Sequence, residues 1–267
     1  MTTEVKGAAR SAENNPALRA LARVGNVAVG VVHILIGGIA ISIAFGSGGE
    51  ADQSGAFTQL MRTPGGVFLI WIVVVGLLAL GLWEIIQTIV PPGGDPKRRW
   101  ARRLKEASKA VVYFALAWVG IVVALGGSSN SASSTSSTSA KILSTPGGVF
   151  LIVLIGLVVF AIGVGYVVRG ARKSFARDIQ MPPGAAGDAT MTLGVVGYIA
   201  KGIALGIVGV LFVVAGVTVD PSKANGLDGA ILTLRQLPFG PVILFLVAVG
   251  LIAYGVYYCV RAFVVRL

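Results

Sequence analysis

The sequence predicts an all-α polytopic membrane protein, with six transmembrane helices arranged as three repeated helical hairpins around a pseudo-threefold axis. Three observations carry this. The 267 residues are 55% hydrophobic and only 12% charged, with a mean hydropathy of +0.85, against about 25% charged residues in soluble domains. Six apolar runs are long enough to cross ~30 Å of hydrocarbon. The stretch TPGGVFLI at Thr63–Ile70 returns letter for letter at Thr145–Ile152, with a looser copy, LPFGPVIL, at Leu237–Leu244. Repetition at a fixed period marks an architecture built from one unit.

Residues 1–24 read as a polar cytoplasmic tail or short surface helix, without the apolar core of a signal peptide. Hairpin repeat 1 covers 25–90, with spans at Val27–Phe45 and Val67–Val90. Hairpin repeat 2 covers 97–168, with spans at Ala110–Leu125 and Val149–Val168. Hairpin repeat 3 covers 193–263, with spans at Leu193–Val217 and Val242–Val260. The runs lack the alternation of a membrane barrel, so they are helices. Pro91–Pro96 breaks the chain after span two. Gly127–Ala140 is almost pure Ser, Thr and Gly and reads as a flexible loop.

The net charge of +11 does not point to nucleic acid, because the charge is sorted by side. Eighteen lysines and arginines fall in the tail, in the connections after spans two and four, at the C-terminus and at Lys201. Four fall on the other side, at Arg62, Lys141, Lys223 and Arg235. The positive-inside rule then places a multi-pass protein in the cell's inner (plasma) membrane with both termini cytoplasmic. Anionic inner-leaflet lipid is the expected partner.

Aligning the copies on Pro64, Pro146 and Pro238 brings Gly81, Gly163 and Gly255 into register, and in the first helices Gly30, Ala110 and Gly202. Proline suits the first turn of a helix, and Thr63 and Thr145 are placed to cap it. The glycines remove bulk so that helices approach closely. Gly76 and Gly250 correspond, but the middle copy has Val158 there and lacks the leading glycine. Gly55-Ala56 and Gly229-Ala230 open AFTQLMR and AILTLRQ, which read as short interfacial helices. Serines replace them in the middle copy.

These patterns resemble the DUF1206 family of bacterial membrane proteins. The resemblance rests on GNVAVGVVHILIGG (Gly25–Gly38), GYIAKGIALGIVGV (Gly197–Val210), SGAFTQLMRTPGGVF (Ser54–Phe68) and DGAILTLRQLPFGPV (Asp228–Val242). It implies a fold and no activity, and it brings no catalytic residues.

Few residues offer chemistry. His33 is the only histidine, and Glu84 is the one acid within the spans as drawn above. Both lie ~10 Å from the same ends of their helices, so an antiparallel hairpin can bring them together. They form either a neutralising polar clip or a proton-responsive or substrate-binding site. Lys109, Lys201, Arg169 and Arg261 form a basic tier that either snorkels to lipid phosphates or holds a headgroup between hairpins. Cys259 lies in an apolar run and reads as a packing residue. There is no P-loop, no Ser/His/Asp set and no metal-ligand cluster, so neither an enzyme nor a cofactor is expected. The first functional expectation is a structural or accessory protein that packs with a larger membrane complex or organises lipid. The alternative is a small transporter or channel with its path at the repeat axis. Such a path calls for polar residues converging at mid-membrane on that axis.

Overall fold

The computed structural model describes residues 16–89, 96–127 and 129–265. The first fifteen residues of the expected tail, the turn at Pro91–Asp95 and Arg266 lie outside the described residues. Among the described residues nine α-helices follow one another: α1 (Pro16–Ala44), α2 (Gln53–Met61), α3 (Gly66–Ile89), α4 (Pro96–Ala124), α5 (Ser131–Leu143), α6 (Gly148–Ala171), α7 (Ala185–Thr218), α8 (Gly226–Gln236) and α9 (Gly240–Val264). Six of them, α1, α3, α4, α6, α7 and α9, are long and apolar enough to cross a membrane. The end of the bundle carrying α2, α5 and α8 is called the loop end here, and the opposite one the basic end.

The spans run longer than the apolar runs suggest. Helix α1 begins at Pro16, inside the expected tail, and α4 includes Lys97–Lys109, the basic run after the second span. The repeat prolines, Pro64, Pro146 and Pro238, precede their helices rather than filling the first turn. The next residue in each case takes a left-handed φ: Gly65 at 73°, Gly147 at 80° and Phe239 at 60°. Phe239 bears the strain that the two glycines avoid. The threonines do not cap the helices that follow. The hydroxyl of Thr63 donates to Leu60 O at 2.7 Å and that of Thr145 to Ile142 O at 2.6 Å, so both close the short helix before them.

The spanning helices form a ring, and its tightest joints lie between successive repeats. The second helix of each repeat packs on the first helix of the next: α3 on α4, α6 on α7, and α9 back on α1. The aligned glycines sit at these joints. A Cβ on Gly163 would lie 2.7 Å from Gly202 O, and one on Gly255 would lie 2.5 Å from Gly30 O. One on Gly81 would meet the Phe114 ring at 2.9 Å. Within repeats one and three a second set of small residues lets the two helices touch. A Cβ on Gly25 would lie 2.3 Å from Gly76 O, and one on Gly250 would lie 2.2 Å from Ala200 Cβ.

Repeat two has Lys105 and Val158 in the places of these small residues, and there α4 and α6 do not pack along their lengths. Over an 18-residue apolar stretch of each span, half or more of the residues are buried in α1, α3 and α9, against 22% in α4 and 17% in α6. The hairpin expected as the repeating unit of packing is therefore split in its middle copy. Lysine and valine are too bulky for the approach that glycine allows.

The Ser/Thr stretch is a helix, not a flexible loop. Asn130 caps α5 by accepting from Ser133 N at 2.7 Å, and hydroxyls turn back onto carbonyls, as Thr138 does to Ser134 O at 2.7 Å. Its serines also reach the neighbouring repeats. Ser54 and Ser131 share a hydroxyl contact at 2.8 Å, and Ser136 donates to Pro221 O at 2.9 Å. Asp228 closes the circle by accepting from Ala51 N at 2.9 Å. The lid packs onto the apolar core, where Phe57 of α2 and Ile231 of α8 join Ile36, Ile70 and Leu244, all fully buried.

Two measurements follow from this packing. Gly163→Ala and Gly255→Ala each lower stability by about 1–3 kcal/mol in detergent unfolding, because the new methyl meets backbone. Gly81→Ala costs less, since a phenylalanine ring can turn aside. Equal tolerance at all three positions would show that the joints are loose. The second measurement concerns pH. Burial, with Asp52 adding repulsion, raises the Glu50 carboxyl above its ordinary value against the Asn130 hydrogen bond. Burial also raises Asp228 against the Ala51 N–H, with Asp52 adding to the rise. A raised carboxyl binds more protons folded than unfolded, so its contribution to stability falls as pH rises through the folded value. The loop end thus resists opening less as pH rises above about 4, read by hydrogen exchange, and Asp228→Asn flattens that dependence. A lid that tightens with rising pH across this window would contradict the assignment.

Candidate functional site

The buried polar side chains of the membrane-spanning helices, Asn26, Glu84, Glu106 and Thr190, lie at the basic end, which also holds an aromatic stack. Tyr254 and Tyr257 on α9 are fully buried, and Tyr198 on α7 and Tyr258 on α9 nearly so. Phe175, in a short 3-10 helix at Ser174–Asp178, is also fully buried. Its ring stacks on Tyr198 at 5.1 Å between centroids. Tyr198 meets Tyr254 at 5.3 Å, and Tyr254 meets Tyr258 at 4.7 Å. Residue 194 is glycine where this plug enters, since a Cβ there would lie 2.3 Å from the Phe175 ring.

Cations stand on this stack. Lys201 Nζ lies 4.4 Å from the Tyr254 ring centroid and 5.3 Å from that of Tyr166. It donates to Tyr254 Oη at 3.3 Å and to His33 Nε2 at 3.1 Å. His33 Nδ1 lies 2.8 Å from Val29 O. A carbonyl only accepts and an ammonium only donates, so His33 is the neutral tautomer with its proton on Nδ1. The Arg261 guanidinium lies 4.9 Å from the Tyr258 ring and that of Arg169 lies 5.3 Å from the Tyr198 ring. Such contacts favour a cation most where water is scarce. Arg169 also pairs with Asp178.

His33 and Glu84 are not partners. Glu84 accepts from Lys109 Nζ at 3.2 and 3.3 Å, and Lys109 also pairs with Glu106. Successive-repeat packing explains the separation: α3 turns Glu84 toward α4, while α1 turns His33 toward α7 and α9. Glu84 is therefore not the one acid in a span. Because α4 extends beyond its apolar run, Glu106 is buried as well.

The basic tier is likewise not a row of side chains reaching out alone. Lys109 is tied to two carboxylates, Arg169 to one, and Lys201 to a histidine and a tyrosine. Gly30 and Gly202 lie at the ring joints rather than in the site. Sequence reasoning did not reach Tyr254, Tyr257, Phe175 or Glu106. The Tyr-Gly-Val-Tyr-Tyr run at Tyr254–Tyr258 was the available signal for the stack. Among the described residues no group of three His, Cys, Asp or Glu side chains could hold a metal ion.

The fold and this centre define a class: polytopic α-helical membrane proteins made of three sequence-repeated hairpins. The chain belongs to the DUF1206 family, described as a Domain of Unknown Function, whose pattern matches residues 24–90, 105–173 and 196–264. It is 30% identical over 249 residues to the uncharacterised protein YxxB of Bacillus subtilis strain 168, covering 92% of this chain and 90% of that relative. No solved structure matches it.

The partner assignment is testable by double-mutant cycles in detergent unfolding. Glu84→Leu and Lys109→Leu couple by about 0.5–2 kcal/mol, as contacting intramembrane pairs do. His33→Leu and Glu84→Leu add within about 0.5 kcal/mol. Strong coupling of the second pair with none in the first would reverse the assignment.

Proposed function

We propose that this protein is a non-catalytic component of the cell's inner membrane that organises anionic lipid, with both termini in the cytoplasm. The observation that carries the reading is the split middle hairpin. Helices α4 and α6 are both long and apolar enough to span the membrane but do not pack on each other along their lengths, which leaves a joint that acyl chains would fill. Several features agree with this. The α6–α7 face carries an apolar groove of about 390 Å³ lined by Phe160, Val164, Val167, Ile203, Ile207 and Val210, dimensions that suit an acyl chain. By sequence, eighteen of the 22 lysines and arginines fall in the segments on one side of the spans, which the positive-inside rule makes cytoplasmic.

A through-path at the repeat axis has less in its favour. The polar groups gather at one end instead of converging at mid-membrane, and the loop-end half is filled by fully buried Ile36, Ile70, Ile231 and Leu244.

Purification in mild detergent followed by lipid analysis tests the proposal. The expected result is retained phospholipid enriched in anionic species, with thermal stability that falls on delipidation and returns when phosphatidylglycerol is added. A lipid-free protein of unchanged stability would overturn it. So would ion flux in proteoliposomes above that of protein-free vesicles, which would favour the transporter.

A further inference from the structure

We propose that Arg169 and Arg261 form a site for a phosphate-class anion at the basic end, with Lys201 as the deeper charge. This rests on the lipid-organising reading and specifies where the anion binds. Three independent observations lead there.

The first is charge. Among the described residues the acids of the centre are already taken: Glu84 and Glu106 by Lys109, and Asp178 by Arg169. Among the described residues Lys201 and Arg261 have no carboxylate within ion-pair distance. Half-buried cations without a counter-charge are costly in a membrane, and tyrosine faces offset only part of that cost.

The second is unmet hydrogen-bonding capacity. The Nε atoms of Arg169 and Arg261 are buried and have no hydrogen-bond partner among the described residues. An arginine Nε–H beside a terminal N–H is the fork that grips two oxygens of one phosphate. The two residues hold the same place in repeats two and three, where repeat one has Gln87. Their guanidiniums stand on Tyr198 and Tyr258, whose rings meet the Tyr254 ring at 5.3 and 4.7 Å, and an anion between the two cations would offset their mutual repulsion.

The third is access. Arg169 is two residues from the end of α6, and Arg261 is three from the end of α9, the depth at which lipid phosphates lie. Arg169 flanks the split joint, and Lys105 of α4 is within electrostatic reach of Arg169 and Asp178 across it. A phospholipid can therefore approach sideways, acyl chains in the bilayer and phosphate toward the arginines. Tyr258 backs Arg261 and lies within electrostatic reach of Lys201, so Lys201 adds attraction from behind without contacting lipid.

The test uses the full chain in detergent, titrated with phosphatidylglycerol, phosphatidylcholine or inorganic phosphate and read by native mass spectrometry and thermal shift. The wild type should bind about one phosphatidylglycerol tightly, in preference to phosphatidylcholine. Arg261→Gln and Arg169→Gln should each weaken that binding by about tenfold, as expected when a charge-assisted hydrogen bond is lost. Lys223→Gln, at the loop end, should leave it unchanged. Unfolding without added lipid shows which arginine variants remain folded, and Arg261→Lys, which keeps the charge but loses the fork, should fall between. Stabilisation by millimolar inorganic phosphate that is lost in Arg261→Gln identifies a free anion at the same site and supports the proposal. Phosphatidylglycerol binding that is unchanged in both folded arginine variants overturns this site while leaving the lipid-organising reading intact. No preference for phosphatidylglycerol in the wild type overturns both.

Discussion

The approach of one helix backbone to another at Gly163–Gly202 and Gly255–Gly30 is the contact on which the rest of the structure depends. In lipid, apolar side chains gain nothing by leaving one hydrocarbon surface for another, so helices associate through close packing. These joints supply it: a Cβ on Gly202 would lie 2.6 Å from Gly163 O, and one on Gly30 would lie 2.6 Å from Gly255 O. They link the second helix of one repeat to the first of the next, and the last such joint brings the end of the chain back to its beginning. The short helices of the loop end repeat the same cyclic order in hydrogen bonds, from Ser54 to Ser131, from Ser136 to Pro221 and from Asp228 to Ala51.

The middle repeat departs from this plan in a way that has consequences. Lys105 and Val158 replace residues that elsewhere let a hairpin close on itself, and α5 leaves only Ser139 buried. The ring is thereby weakened at one place. Charged residues of the centre stand on both sides of that place, with Lys105, Lys109 and Glu106 on α4 and Arg169 on α6. Tyrosines make such a centre tolerable. They bury their rings as core and present faces to ammonium and guanidinium groups, so cations can lie deeper than snorkelling side chains alone would carry them.

The repeat, the six spans and the short helices α2 and α8 were legible in the sequence, because local composition decides each of them. The aligned glycines could be found, but not the helix each one meets. Spacing fixes the face of a helix and says nothing of its neighbour, and the expectation that each hairpin packs chiefly on itself placed His33 against Glu84. Packing across repeats gives His33 to Lys201 and Glu84 to Lys109 instead. Helix α5 was hidden because serine and threonine have weak helix propensity, and its hydroxyl bonds to two other repeats are long-range. Glu106 was hidden by ending the span where the apolar run ends, and Phe175 by its basic surroundings in KSFARD. The DUF1206 resemblance and the family match agree on the architecture, while the basic and aromatic centre became visible only once α7 and α9 were seen side by side.

The central claim is that the ring closes through α9 and α1, and an oxidative cross-link tests it most directly. The Phe45 ring, just past the end of α1, lies 6.0 Å from the Phe245 ring of α9. Phe45→Cys with Phe245→Cys, in a Cys259→Ser background, therefore places two thiols from the first and last spanning segments near each other without adding a side chain to the glycine joint. A copper-catalysed disulfide is expected between them, detected because a chain cut by protease in the loop-end connection of the middle repeat stays in one piece under denaturing conditions until it is reduced. Two thiols that remain free and reactive in a folded chain would show that α9 does not return to α1, and the cyclic arrangement would be wrong.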